Sequence, residues 1–169
     1  MATLDVAPRQ KIGVQDNLIL GLNHVSIFVR DVDEATKFWI DLFEAEPYRD
    51  FPGKQLFHVK LSGVVLAFFQ ERGAPVDSSY EYPHTAFTAS PEGMRAMKQR
   101  LDEAGVKTHP LWTRNRCEAL LYFRDPSGNL FELYCPEYDR VGELRIGLGK
   151  TGGDFRPPIE DLMYDWPKR

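Results

Sequence analysis

The stretch LNHVSIFV occupies residues 22–29. Its alternation predicts a strand whose two faces carry Val25, Ile27 and Val29 on one side and His24, Ser26 and Phe28 on the other. The stretch HTAFTA, residues 84–89, also begins with a histidine, 60 residues after the first (84 − 24 = 60). The recurrence of a histidine at the start of a strand indicates an internal repeat.

The elements that follow each histidine strand repeat as well. RDVDEATKFWIDLF predicts a helix capped by Asp31 or Asp33, and SPEGMRAMKQRLDEAG predicts one capped by Ser90 and ended by Gly105. Strand-like runs come next: QLFHVKL and VVLAFFQ around Ser62-Gly63, then VKTHPLW, EALLYF and NLFELYC, the last two around the turn DPSG. One unit of a strand, a helix and about three further strands therefore occurs twice in the sequence, which predicts an α+β fold.

The repeat sets the domain boundaries. We predict an N-terminal extension over residues 1–20, a first βαβββ module over 21–75, a second over 76–138 and a C-terminal arm over 139–169. EPYRDFPGK is turn-rich and ERGAPVDSSYEYP resembles a linker. The aromatic residues Phe155, Tyr164 and Trp166 predict that the arm packs on this chain or on a partner subunit.

Composition narrows the classes of function. The chain has 169 residues, 43% hydrophobic and 27% charged, which is typical of a globular protein. A formal charge of −4 disfavours nucleic-acid binding, and no apolar run approaches the roughly 20 residues that cross a membrane. Cys117 and Cys135 form no disulfide framework, and the first twenty residues do not resemble a secretory signal, so we expect a cytoplasmic protein. Cys135 should be inert, whereas Cys117, in a loop, could be reactive.

Three polar residues are the candidate metal ligands. Because each helix must cover one face of a sheet, strand parity places His24, His84 and Glu132 on the opposite faces. A single strand histidine is more often structural, but two at equivalent places with an acid on a matching face suit Fe(II), Mn(II), Ni(II) or Zn(II). Phe57 lies five residues before Ser62, and Tyr122 lies five residues before Ser127, so we take the two as equivalent positions. If Tyr122 faces the site, Phe57 does too, and its neighbour His58 faces away. We expect His58 and His109 to be structural or exposed to solvent.

The motifs NHVSIFV, PHTAFTAS and YFRDPSGNLFE resemble the vicinal-oxygen-chelate superfamily over residues 21 to about 136. This group includes glyoxalase I, bleomycin-resistance proteins, fosfomycin-resistance enzymes and extradiol dioxygenases. The resemblance implies two βαβββ modules that form a curved mixed sheet, with helices outside and a concave metal site held by His24, His84 and Glu132. It also implies a small-molecule substrate and a homodimer, in which one site can combine modules of different chains.

Within this superfamily the extradiol dioxygenases are our leading prediction, which makes the protein a non-haem Fe(II) enzyme acting on a catechol-like substrate. Their signature has a tyrosine followed by x-x-D-P-x-G and a ligand glutamate, and Tyr122 and Glu132 match it. Tyr122 would then be catalytic and hydrogen-bond a substrate oxygen. Two further histidines of that family are missing, one near Thr113–Asn115 and one near Phe69–Gln70.

The alternatives are a glyoxalase-like lyase or fosfomycin-resistance thiol transferase using Mn, Ni or Zn, and a non-catalytic drug-binding protein. Glyoxalase I has a fourth ligand where this chain has Ala67. The transferases hold a monovalent cation in the loop that is RNRCEAL here, and only Cys117 and Glu118 match. Residues of this loop are the predicted substrate-binding group: Arg114, Asn115 and Arg116.

Overall fold

A computed structural model of the chain describes residues 21–51, 56–70, 81–148 and 152–165. The first module contains β1 (His24–Val29), α1 (Val32–Phe43), β2 (Glu46–Phe51), β3 (Leu56–Leu61) and β4 (Val64–Gln70). The second contains β5 (Thr85–Thr88), α2 (Pro91–Glu103), β6 (Trp112–Thr113), β7 (Ala119–Arg124) and β8 (Leu130–Cys135), and β9 (Arg145–Ile146) follows. The predicted α+β class and the repeat are confirmed.

Each module forms its own mixed sheet. The first sheet has the strand order β1-β4-β3-β2, and the second has the order β5-β8-β7-β6-β9. In both, the histidine strand lies at one edge and runs parallel to the last strand of its module. Within the described residues the two modules therefore form separate sheets rather than one continuous curved sheet.

The segment EPYRDFPGK contains a strand that we predicted as a turn. β2 pairs antiparallel with β3 at the edge of the first sheet, and five of its six residues are exposed. An exposed edge strand has no buried face, so its sequence carries no hydrophobic alternation from which it could be recognised.

Both helices begin at the predicted caps. Asp31 accepts a hydrogen bond from the backbone N–H of Glu34 at 3.0 Å, and Ser90 accepts one from Gly93 at 3.0 Å. These side chains satisfy N–H groups that have no partner inside the helix. After α2, Gly105 adopts a φ of 79°, a left-handed conformation that suits glycine and ends the helix.

One hydrophobic core joins both modules. Trp39 of α1 is fully buried, and its ring lies 4.7 Å from that of Phe131 in β8 and 5.8 Å from that of Phe87 in β5. The same core takes in Val59 and Phe68 of the first sheet. The helix-packed side of each sheet thus faces the shared core, and the other side, called here the open face, lies away from it.

The C-terminal arm packs on its own chain, as one of our two alternatives predicted. Phe155, Ile159 and Leu162 form a second hydrophobic cluster with residues on the open face of the second sheet, namely Trp112, Leu120, Tyr122 and Leu130. The hydroxyl of Tyr164 donates to the backbone oxygen of Arg124 at 2.9 Å. Trp166 lies outside the described residues, as do the predicted extension over residues 1–20 and most of the predicted linker.

Among the described residues, neither helix has the length and apolar character that a membrane crossing requires.

Candidate metal and substrate site

His84 and Glu132 lie side by side on the open face of the second sheet. Ala86 of β5 pairs with Glu132 of β8, which brings His84, two residues earlier on the same face, next to the carboxylate. The distance between His84 Nε2 and Glu132 Oε2 is 3.0 Å. The other ring nitrogen, Nδ1, donates to the backbone oxygen of Glu81 at 2.8 Å, which leaves Nε2 as the available electron-pair donor.

The pair fits a metal ion. Glu132 is only 5% exposed, burial raises the pKa of its carboxyl, and its Oε1 is a buried atom that has no hydrogen-bond partner in the described structure. Two donors that bind one ion at right angles with bonds of about 2.1 Å lie about 3 Å apart. His84 Nε2 and Glu132 Oε2 have this spacing, and a cation would offset the cost of burying the carboxylate.

A hydrogen-bond network borders this pair. Tyr122 of β7 lies directly opposite Glu132, and its hydroxyl donates to Glu81 Oε1 at 2.5 Å. Arg114 Nη2 donates to the same hydroxyl at 2.8 Å and forms an ion pair with Glu81. Burial raises the pKa of Tyr122, and the hydrogen bond to Glu81 raises it further, so the hydroxyl keeps its proton. The predicted residues Tyr122 and Arg114 therefore do lie at the candidate site.

The loop before β7 is organised by Glu118. Its Oε1 accepts the backbone N–H groups of Arg114 at 2.8 Å and Asn115 at 2.9 Å, and Cys117 Sγ donates to Oε2 at 3.1 Å. Burial alone would raise the pKa of Glu118, but these hydrogen bonds outweigh it and lower the pKa. Asn115 thus contributes a backbone group to the loop, and the described contacts do not place it or Arg116 at the site.

Cys117 does not have the environment of a reactive thiol. Its hydrogen bond to Glu118 raises the pKa of the thiol, with burial and the glutamate charge acting in the same direction. A reactive cysteine needs the opposite shift, toward the thiolate. Cys135 is buried on the helix side, as predicted.

His24, the third predicted ligand, does not join His84 and Glu132 in the single chain. It is exposed on the open face of the first sheet, where its Nδ1 bonds the side chain of Asn23 at 2.9 Å. The shared core separates this face from the second sheet's open face. Among the described residues no group of three His, Cys, Asp or Glu side chains could hold a metal ion.

The prediction for His58 is wrong. His58 pairs with Ala67, and Ala67 pairs with Ser26, so all three share the open face with His24. The error comes from the turns: Leu61 and Val64 enclose two residues, whereas Arg124 and Leu130 enclose five. Counting back from Ser-Gly across turns of different length slips the register by one residue, which exchanges the two faces of a strand.

His109 has a structural role, in agreement with its prediction. It is buried, and its Nε2 accepts a hydrogen bond from the backbone N–H of Tyr122 at 3.0 Å. Since Nδ1 bonds the backbone oxygen of Pro110, the ring connects the segment before β6 to β7. It thereby holds the backbone of Tyr122 in place.

Glu81 is the site residue that sequence reasoning missed. It contacts three predicted site residues: its backbone oxygen bonds His84, and its carboxylate bonds Tyr122 and Arg114. The only signal was its position three residues before the ligand histidine, in the motif EYPH. That segment contains proline, serine and acidic residues, a composition that predicts a linker.

Comparison with known proteins identifies the family. Residues 21–133 match the family model described as Glyoxalase/Bleomycin resistance protein/Dioxygenase superfamily. The chain is similar to glutathione transferase FosA of Serratia marcescens, with 29% identity over 132 residues, 78% of this chain and 87% of that protein. It is also 30% identical to metallothiol transferase FosB of Bacillus licheniformis over 133 residues, 76% of this chain and 84% of that protein.

A solved structure supports the same assignment. The fosfomycin resistance protein FosX from Listeria monocytogenes, complexed with Mn(II) and sulfate, superposes with a TM-score of 0.58 and 25% identity over 73% of this chain and 95% of that chain. Two of these relatives are named as transferases and the third as a fosfomycin resistance protein, so they favour our alternative of a fosfomycin-resistance thiol transferase over the dioxygenase, and they lend no support to iron. The chain belongs to the Glyoxalase/Bleomycin resistance protein/Dioxygenase superfamily, known also as the vicinal-oxygen-chelate superfamily.

Proposed function

We propose that this protein is a divalent-metal enzyme of the fosfomycin-resistance type, which adds a nucleophile to a small oxygen-rich electrophile such as an epoxide. The observation that carries the proposal is the buried His84–Glu132 pair, whose second carboxylate oxygen has no partner among the described residues. Similarity to a glutathione transferase, a metallothiol transferase and a Mn(II)-containing resistance protein supports this chemistry and makes Mn(II) the favoured metal.

The proposed metal site takes His84 and Glu132 from one copy of the chain and His24 from a second copy. Within one copy these donors lie on separate faces, so only association of two copies could bring them together. Both open faces carry charged groups: Arg49, Lys60 and Glu46 on the first sheet, and Glu81, Glu132 and Arg114 on the second. The first face is also apolar in part, since Phe28 is 61% exposed and Phe69 is 37% exposed, which favours burial against a partner.

The roles of the chain's own residues follow from the geometry. A divalent cation held by His84 and Glu132, together with His24 of a second copy, would supply Lewis-acid polarisation of substrate oxygens. The Tyr122 hydroxyl, which stays protonated, would exchange its hydrogen bond to Glu81 for one to an oxygen that gains negative charge as an epoxide carbon–oxygen bond breaks. Arg114 brings a positive charge to the same place, and Glu81 orients both groups. The arm excludes water from one side of the Tyr122 ring.

The experiment is a metal and substrate screen on the full chain. Purified metal-free protein is loaded with Mn(II), Zn(II), Ni(II) or, without oxygen, Fe(II), and is then assayed with fosfomycin plus glutathione, other thiols or water alone. We expect turnover with Mn(II) and loss of turnover in Glu132→Gln. Oxygen uptake on a catechol with Fe(II), without activity on fosfomycin, would replace the proposal by a dioxygenase. Tight ligand binding with no bound metal would replace it by a drug-binding protein.

A further inference from the structure

The internal repeat assigns an equivalent to every site residue of the second sheet. In that sheet Ala86 pairs with Glu132, and Glu132 pairs with Tyr122. In the first sheet Ser26 pairs with Ala67, and Ala67 pairs with His58. His58 therefore occupies in the first module the place that Tyr122 occupies in the second, on the same open face as His24.

Ser26, Ala67 and His58 thus form a row across β1, β4 and β3, and in the first sheet this row continues by one residue onto β2. Arg49 of β2 pairs with His58, so the row on the open face ends with an arginine beside the imidazole. Residues directly opposite each other in antiparallel strands have Cβ atoms about 5 Å apart. The two side chains thus start from neighbouring positions on the same side of the sheet, and the Arg49 guanidinium lies 5.1 Å from the centre of the Tyr48 ring.

A β-bulge in β2 places Arg49, rather than Tyr48, opposite His58. Pro47 pairs with Val59 and Arg49 pairs with His58, so Tyr48 is an extra residue on β2. With regular pairing Tyr48 would lie opposite His58. A β-bulge of this kind turns a chosen side chain to the other face and occurs often next to active sites.

The surroundings of His58 suit contact with an anion. The ring of Phe51 meets the imidazole edge to face at 5.1 Å and limits its movement. An imidazole has at least one N–H donor in either protonation state, and the guanidinium of Arg49 presents several more.

We propose that His58 and Arg49 form the substrate-binding wall opposite Tyr122 and hold an anionic group of the substrate, such as a phosphonate, phosphate or carboxylate. This inference rests on the proposed shared site, in which the face that carries His24 meets the open face of a second copy. His84 and Glu132 would hold a metal on one side of the substrate. The His58–Arg49 pair would hold its anionic group from the other and so select acidic substrates over neutral ones.

The test measures binding of anions to the Mn(II)-loaded full-length protein. Fosfomycin and inorganic phosphate are titrated into wild type, His58→Gln, Arg49→Gln and a control, Lys107→Gln, which removes an exposed charge far from the row in sequence. We expect the Kd for both anions to rise at least about tenfold in the first two variants, because each loses a hydrogen bond to a charged group. Mn(II) affinity should stay within about twofold of wild type in all three variants, with anion binding unchanged in Lys107→Gln.

The other outcomes overturn the inference in distinguishable ways. If His58→Gln and Arg49→Gln bind Mn(II) and still bind the anions as wild type does, the two residues do not form an anion-binding wall, and the proposed function remains. A tenfold loss of Mn(II) affinity in these variants shows that the residues act on the metal or the fold rather than on the anion. A wild-type protein that binds no Mn(II) ends the proposed function and this inference together.

Discussion

The open faces of the two sheets differ in how complete they are. On the second sheet Glu81 joins His84, Tyr122 and Arg114 by hydrogen bonds, His84 Nε2 lies 3.0 Å from Glu132 Oε2, and part of the face lies under the C-terminal arm. On the open face of the first sheet, His24, Phe28 and Phe69 are exposed. The second sheet thus has two candidate metal ligands, His84 and Glu132, next to each other, whereas the first sheet has one, His24, with no other candidate ligand beside it in the described part of the chain. Repeat symmetry therefore positions the candidate ligands on a face of each sheet but does not bring the two faces together.

The largest effect should come from removing a ligand on either face. Glu132→Gln and His24→Ala should each lower Mn(II) affinity by more than about 100-fold. The loss of a direct ligand should exceed the loss of about 10–100-fold that is typical of residues that only support the ligands. The matched control is Glu143→Gln, an exposed glutamate in a short 3₁₀ turn, which should bind Mn(II) as wild type does. The measurement is a Mn(II) titration followed by electron paramagnetic resonance. Wild-type affinity in His24→Ala would restrict the site to the second sheet.

Tyr122→Phe tests whether the second face does more than hold metal. The variant keeps the ring that packs with Trp112 and the arm but loses the hydroxyl that bonds Glu81 and Arg114. We expect kcat to fall by about 100-fold, as for loss of one donor to a developing charge, with Mn(II) affinity unchanged. Steady-state kinetics of the Mn(II) enzyme check this. An unchanged kcat would reduce Tyr122 to a packing residue.

The two hairpin turns should differ strongly in their contribution to stability. Asp125 accepts hydrogen bonds from the backbone N–H groups of Ser127 and Asn129 and from the Asn129 side chain, each at 2.9 Å. Asp125→Ala should lower the free energy of unfolding by about 2–4 kcal/mol, because three partly buried donor groups lose their acceptor. In the equivalent turn of the first module, the part of the chain that the structure describes shows no hydrogen bond to the Ser62 side chain, and Ser62→Ala should change stability by less than about 0.5 kcal/mol. Urea unfolding of both variants decides the matter, and equal losses would contradict this account of the turns.

The pH dependence of metal stabilisation is the smallest expected effect. Burial raises the pKa of Glu132, so in the metal-free protein this group favours folding below its ordinary pKa and loses that contribution as the pH rises past the raised value. Metal binding needs the deprotonated carboxylate, so Mn(II) should stabilise the protein more at pH 7.5 than at pH 5.5. Thermal unfolding with and without Mn(II) at both pH values measures this. The variant Glu132→Gln should show no metal effect at either pH, and equal stabilisation of wild type at both would contradict the assignment.

Strand parity explains why so much of the second face could be predicted. β1, β5 and β8 are regular and have one apolar side, so alternation alone placed His24, His84 and Glu132 on the open faces. The helix caps followed from local chemistry at Asp31 and Ser90. In each case the signal lies within a few residues of the feature it predicts.

The failures arise where the decisive interaction is distant in the sequence. His58 was assigned to the wrong face because the lengths of the two turns depend on strand pairing, which composition does not report. Glu81 joins the site through Tyr122, 41 residues away, and Arg114, 33 residues away. The separation of His24 from the other ligands follows from the packing of α1 across both sheets, to which many weak contacts contribute.

The most direct test of the shared site mixes two inactive variants. His24→Ala and Glu132→Gln chains are unfolded together, refolded at a 1:1 ratio and assayed for bound Mn(II) and turnover, with each variant refolded alone as the control. If one site takes His24 from one copy and Glu132 from another, random pairing into dimers restores one intact site in half of the dimers, about a quarter of the wild-type sites. A mixture that binds no more Mn(II) than either variant alone would contradict the account.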